Sequence, residues 1–317
     1  MSLVCRWRAS FWQLAVTIYS VKTHHFFQLI ALSALWGASF MFIRIAVPVM
    51  GPWVLAAGRV GLATLTLAVL MRALRHDWPW QEWRMLAVLS LLSVAVPFML
   101  FAWAGLYLPA GYSALINTMA VLFGTLASAW FKEDTLTRRK LAGCALGFLG
   151  VALIVRLGPV ALDHTTVMAA LACLCAAACY GMSAPLMKRA TARLQPLSIA
   201  AGIHLISVVF ILPGAAWSLP QARFTPGTLA AMAVLGIVTS GLAYWVHLRI
   251  IRQVSPVAAM SPVFMVPVFG VTWGHLFLGE ALSPGIFVGG ALVLAASALV
   301  TGFNPLRRMF SANPPPP

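Results

Sequence analysis

Apolar residues run along this chain in blocks of about twenty, separated by short clusters of Pro, Gly and charge. A helix needs about 20 mostly apolar residues to cross the hydrocarbon core of a bilayer. The blocks predict ten such helices, at 27–47, 53–73, 84–105, 109–131, 139–157, 166–187, 197–217, 228–249, 256–277 and 283–303. The breaks have local causes. Pro48, Gly51 and Pro52 predict one turn, and His76, Asp77 and Pro79 another. Lys132 to Asp134 end the fourth run, and Pro220 with Pro226 brackets the connection before the eighth. The stretch from Leu106 to Pro109 is so short that the helices it joins must be antiparallel. The predicted fold is an all-α membrane protein.

Composition agrees with the pattern and adds a direction. Of 317 residues, 62% are hydrophobic and 9% charged, against roughly 25% charged in a soluble domain. The acidic residues are Asp77, Glu82, Glu133, Asp134, Asp163 and Glu280. A net charge of +15 raises the question of nucleic acid, but such binding needs basic residues gathered on one face. Here they are scattered between apolar runs, so the expected partners are membrane lipids and a small-molecule substrate, not nucleic acid. Cytoplasmic loops of membrane proteins are rich in Lys and Arg. With both ends of the chain cytoplasmic, all of the 21 Lys and Arg fall on the inner side except Arg44, Arg59, Arg156 and Arg223. The expected location is the bacterial cytoplasmic membrane, crossed many times.

The ends of the chain stand apart. Residues 1–26 carry Arg6 and Arg8 in a broken apolar stretch. They read either as an amphipathic cytoplasmic helix or as sequence upstream of a natural start at Val21. Residues 304–317 read as a cytoplasmic tail. Three of the five cysteines, Cys173, Cys175 and Cys179, sit in one apolar stretch. Cys there behaves as a small packable residue. With no His or carboxylate in that segment, neither a metal nor another cofactor is expected.

The chain also resembles itself. WGASFMFIRIA at 36–46 matches YGMSAPLMKRA at 180–190, 144 positions later, and AAG at 56–58 matches AAG at 200–202 at the same offset. MAVLFGTLASAWFKEDTL at 119–136 matches MVPVFGVTWGHLFLGEAL at 265–282, offset by 146. The order and near-constant offset indicate duplication. Five predicted spans separate matching points, so the copies at 27–157 and 166–303 take opposite orientations. Two inverted five-helix repeats are a mark of secondary transporters, where exchanging the conformations of the halves opens a central site to alternate sides.

On these residues the chain resembles the EamA family of the drug/metabolite transporter superfamily. The resemblance covers nearly everything from 27 to 303. It is carried by LWGASF at 35–40, by Arg59 in the second run, and by the stretch from Pro262 through FLGEALSP with Glu280. Asp134 stands at the Glu280 position of the first copy, and Ile116 stands opposite Pro262. The resemblance implies a ten-helix bundle that carries small metabolites, often outward, without implying one substrate.

Ionisable groups at bilayer depth are costly and so mark function by default. Arg59 either faces a central cavity or snorkels to the outer headgroups, and Arg44 is expected to snorkel. His204, His247 and His275 fall in the seventh, eighth and ninth runs. They serve helix packing or, being titratable near neutral pH, a proton-linked step. Asn117 needs a hydrogen-bond partner in a neighbouring helix or in the substrate. Trp36, Trp103, Tyr180, Tyr244, Trp245 and Trp273 can line a cavity or pack. Trp36 and Tyr180, at equivalent repeat positions, are the better candidates, with Ser39 in the same LWGASF segment. The Gly143/Gly147 and Gly285/Gly289 pairs allow close helix approach, within the chain or between the subunits of a homodimer.

No Asp or Glu falls clearly inside a run, so a cation/proton antiporter that binds both ligands at a buried carboxylate lacks its central group. Net positive pathway residues suit neutral, zwitterionic or anionic solutes such as amino acids. No zinc-protease H-E-x-x-H, paired Asp or Ser–His–Asp arrangement points to an enzyme, and no nucleotide-binding loop points to a primary pump. A passive channel or a non-transporting accessory protein remains the alternative to a carrier.

Overall fold

A computed structural model describes residues 23–132, 135–157, 163–251 and 261–301, and every regular element among them is helical. The chain forms α1 (Thr23–Met50), α2 (Pro52–Ala73), α5 (Arg138–Arg156), α6 (His164–Arg193), α7 (Pro196–Ser218), α9 (Ser261–Leu278) and α10 (Pro284–Thr301) as single rods. Three further rods are composite. α3 runs through Trp83–Ser90, Leu91–Ala95 and Val96–Ala104, α4 through Ala110–Asn117 and Ala120–Trp130, and α8 through Pro226–Ala233, Val234–Leu242 and Ala243–Ile251. The middle pieces of α3 and α8 are wide π turns. Among the described residues, 7 helices are long and apolar enough to cross a membrane, and Phe264–Leu278 and Pro284–Val300 are shorter apolar helices. Large apolar side chains such as Leu65, Val69, Val209, Leu212, Leu276 and Phe287 stand exposed on the outside of the bundle. Such a surface is matched to lipid.

Several ends depart from the sequence expectation for visible reasons. α1 continues through Pro48 to Met50, and the turn rests on Gly51 alone, whose φ of 76° is open to glycine. Pro185 likewise lies inside α6, which continues to Arg193. Asp163 caps α6 by accepting from the Thr166 N–H, and that bond holds its carboxyl below the usual range. α4 begins after Pro109, which offers no side-chain cap. The Glu280 carboxylate arrives instead from the α9–α10 connection, accepting from Ala110 N at 2.7 Å and Gly111 N at 3.2 Å. Arg44 donates to the carbonyls of Gly105 and Leu106 and so closes the end of α3. The readings of residues 1–22, of Asp134 and of the tail 304–317 lie outside the described residues.

The helices pack in matched pairs. α1 lies on α9 as α6 lies on α4; α2 on α8 as α7 on α3; and α1 on α8 as α6 on α3. α2 with α7, and α5 with α10, close the set. The closest approaches match too. A Cβ on Gly37 would lie 2.6 Å from Phe269 Cβ and 2.9 Å from Gly270 N; one on Gly181 would lie 2.5 Å from both Phe123 Cβ and Gly124 N. Gly181 stands 144 positions after Gly37, and Phe269–Gly270 stand 146 after Phe123–Gly124. The Gly143/Gly147 and Gly285/Gly289 faces are occupied inside the chain: Gly143 meets Val300 and the Ala296 carbonyl, and Gly289 meets Gly150 and Ile154.

Candidate functional site

Helical spacing turns the polar side chains inward. Ala56, Arg59, Val60, Ala63 and Leu67 are the buried stripe of α2, and Ala200, His204, Ser207, Ile211 and Ala215 that of α7. Arg59 is 7% exposed and His204 0%, so the snorkelling alternative for Arg59 does not hold. The wide turns of α3 and α8 each add a residue to a turn and rotate the next stretch of helix. They present Ser93 from α3 and Ser240 from α8, with Phe98 and Tyr244 one turn beyond.

These side chains meet where α2, α3, α6, α7 and α8 converge. Arg59 Nε donates to Ser240 Oγ at 2.7 Å, and its guanidinium carbon lies 3.7 Å from the centre of the Phe98 ring. No carboxylate pairs with this cation among the described residues. Tyr180 and His204 are both close enough to interact with its charge. The His204 ring lies 5.3 Å from Tyr244 and 6.5 Å from Phe98, edge to face in both cases. Tyr180 stacks on Phe101 at 6.1 Å. Beside this group, Trp36 and His247 meet edge to face at 4.8 Å, and Trp36 Nε1 donates to the Thr239 carbonyl.

Buried polar atoms here want for partners. His204 Nε2 and His247 Nδ1 have none among the described residues; away from this group, in α4, Asn117 Oδ1 has none either. An unpaired buried polar group costs about 1–3 kcal/mol, which a bound solute or water would relieve. A groove of about 770 Å³ lies elsewhere, between α5 and α6, lined among others by Phe148, Val155, Arg156 and Leu171.

Of the residues named from sequence, Arg59, Tyr180, His204 and Tyr244 come together, with Trp36 and His247 alongside. The others do not join them. Ser39 donates to its own helix at Leu35, and Trp103 packs on Tyr107 near the end of α3. Trp273 donates to the Ala34 carbonyl and stacks on Phe269 at the α1–α9 contact. His275 is exposed and donates to the Glu280 carbonyl. Trp245 lies under Arg249. Phe98, Phe101, Ser93 and Ser240 are not legible as site residues in the sequence, since Phe and Ser within apolar runs carry no signal of their own.

Comparison with known proteins agrees across the whole bundle. The EamA-like transporter family matches twice, over residues 26–156 and 167–302. A protein of Streptantibioticus cattleyicolor described as a probable terminal-alkyne amino-acid exporter is 26% identical over 281 residues, covering 88% of this chain and 94% of its own. An uncharacterized transporter of Archaeoglobus fulgidus is 29% identical over 291 residues, covering 88% and 97%. A solved crystal structure, 18% identical, superposes with a TM-score of 0.63 over 92% of this chain and 98% of its own, and shares the fold. The relatives are named as transporters rather than enzymes, and the chain is a multi-pass integral membrane protein.

Proposed function

Because the chain belongs to the EamA-like transporter family, we propose that it is a secondary transporter working by alternating access. It exports small neutral, zwitterionic or anionic solutes, amino acids foremost. Ten spans form two inverted five-helix halves in the bacterial inner membrane, with both termini cytoplasmic. The observation that carries this reading is the buried Arg59, which has no carboxylate partner among the described residues and sits among aromatic walls where α2, α3, α6, α7 and α8 converge. A lone cation in a low-dielectric interior is costly and is retained where it meets an opposite charge in the working cycle. The matched packing of α1 on α9 and α6 on α4 supports two halves that rock about one site. The amino-acid exporter among the relatives supports the solute class.

Counterflow in proteoliposomes tests the reading. Vesicles loaded with an unlabelled amino acid should concentrate the labelled one transiently from outside, for at least one of the twenty protein amino acids. Transport of a lipophilic dication instead, unaffected when each His is replaced, would overturn the solute class. Absence of exchange across the panel would overturn the carrier.

A further inference from the structure

His204 adds a second, opposite polarity to the Arg59 site, and the role inferred for it rests on the carrier reading. The ring is held by one hydrogen bond, from Nδ1 to the Ala200 carbonyl oxygen at 2.8 Å. A carbonyl only accepts, so Nδ1 carries the hydrogen. In the neutral ring Nε2 is then a bare lone pair, fully buried and unpartnered among the described residues. Arg59 is the converse. It uses Nε–H on Ser240, and its terminal N–H groups find no acceptor among the described residues. Arg59 and His204 stand 3.7 and 6.5 Å from the same Phe98 ring, short enough for one small molecule to touch both.

The groups around His204 leave few other charges to consider. α2 presents Arg59, α8 presents Tyr244, α3 presents Phe98, and α6 brings Tyr180 toward Arg59. Among the described residues Arg59 is the charge that acts on the ring.

We infer that His204 Nε2 accepts the ammonium of an amino acid whose carboxylate lies on Arg59, and that the same lone pair takes a proton when the amino acid leaves. The two ligands exclude each other. A protonated ring has no acceptor to offer and places a positive charge beside the ammonium. The carrier therefore exchanges one proton for one zwitterion, moving one positive charge against each amino acid. The proton is taken up on the side where the amino acid is released and given back where the next one binds, so acid outside favours export. A carboxylate without an ammonium behaves otherwise: it cancels the Arg59 charge and leaves the proton no competitor at Nε2.

Proteoliposomes containing the full chain and a luminal pH dye decide this. The probes are the twenty protein amino acids, then the N-acetyl derivative of whichever exchanges fastest. In wild type, efflux of that amino acid should acidify the lumen. With the membrane potential clamped, one pH unit, acid outside, should drive its efflux toward about a tenfold gradient, as one proton per solute requires. The N-acetyl derivative should produce no luminal acidification. His204→Gln keeps an acceptor near Nε2 but cannot titrate, so exchange should persist while acidification is lost. Amino-acid efflux without pH change in wild type, or coupling that survives His204→Gln, overturns the inference and leaves the carrier standing. Failure of all twenty in wild type overturns the carrier itself. If His204→Gln aggregates on size exclusion, the two wild-type arms still decide.

Discussion

The guanidinium carbon of Arg59 lies 3.7 Å from the centre of the Phe98 ring. A desolvated cation over a ring gains about 2 kcal/mol, whereas taking a single ion out of water costs several kcal/mol even after relaxation. Phe98 and Ser240 thus hold Arg59 in place without offsetting its burial. This cation destabilises the empty bundle. Arg59→Met should therefore raise the thermal midpoint of the detergent-solubilised protein while abolishing exchange. A midpoint lowered by several degrees would show Arg59 to be structural.

The Gly37 and Gly181 contacts make a second prediction. A methyl at either meets backbone on the facing helix, and overpacking of that kind costs about 1–3 kcal/mol. Gly37→Ala and Gly181→Ala should both lower the midpoint. Gly61→Ala, where nothing lies within 4 Å, should raise it slightly, since Ala is favoured over Gly in a helix by about 1 kcal/mol. Equal shifts at all three positions would contradict the packing described.

Glu280 ties the α9–α10 connection to the start of α4. Glu280→Ala leaves two backbone N–H groups without that acceptor and should cost about 1–3 kcal/mol. Glu280→Gln keeps an oxygen but loses the charge facing the helix N-terminus, worth about 0.3–1 kcal/mol. Thermal unfolding should rank wild type above Gln and Gln above Ala. Indifference to both changes would remove the cap from the account.

Sidedness is open to single-cysteine labelling in a background without native cysteine. Ala222→Cys, in the α7–α8 connection, should react with a membrane-impermeant maleimide in spheroplasts. Ala192→Cys, at the end of α6, should react only after lysis. The reverse pattern would invert the proposed topology.

Hydropathy carries most of the fold here because lipid leaves the backbone few choices: an apolar block of spanning length must be helical. What it does not carry is register. The wide turns at Leu91–Ala95 and Val234–Leu242 add a residue without changing composition, yet they decide which way Ser93 and Ser240 point. His204 and His275 look alike in sequence, each one His in an apolar run. One falls on the buried stripe of α7 and the other at the exposed end of α9. Arg59 is legible because charge in a span is rare. Its ring partner Phe98 is one of 18 phenylalanines, and only the packing of α2 on α3 selects it. Glu280 reads from sequence as a loop acid, since its partners lie 170 positions away.

The central claim is a carrier whose site turns on Arg59, and trans-stimulation tests it most directly. Proteoliposomes are preloaded with a labelled amino acid, and efflux is timed with and without the same unlabelled amino acid outside. Efflux should accelerate severalfold in its presence, and both rates should collapse in Arg59→Gln. Efflux indifferent to the outside solute and unchanged in Arg59→Gln would mean a passive pore, and would contradict the account.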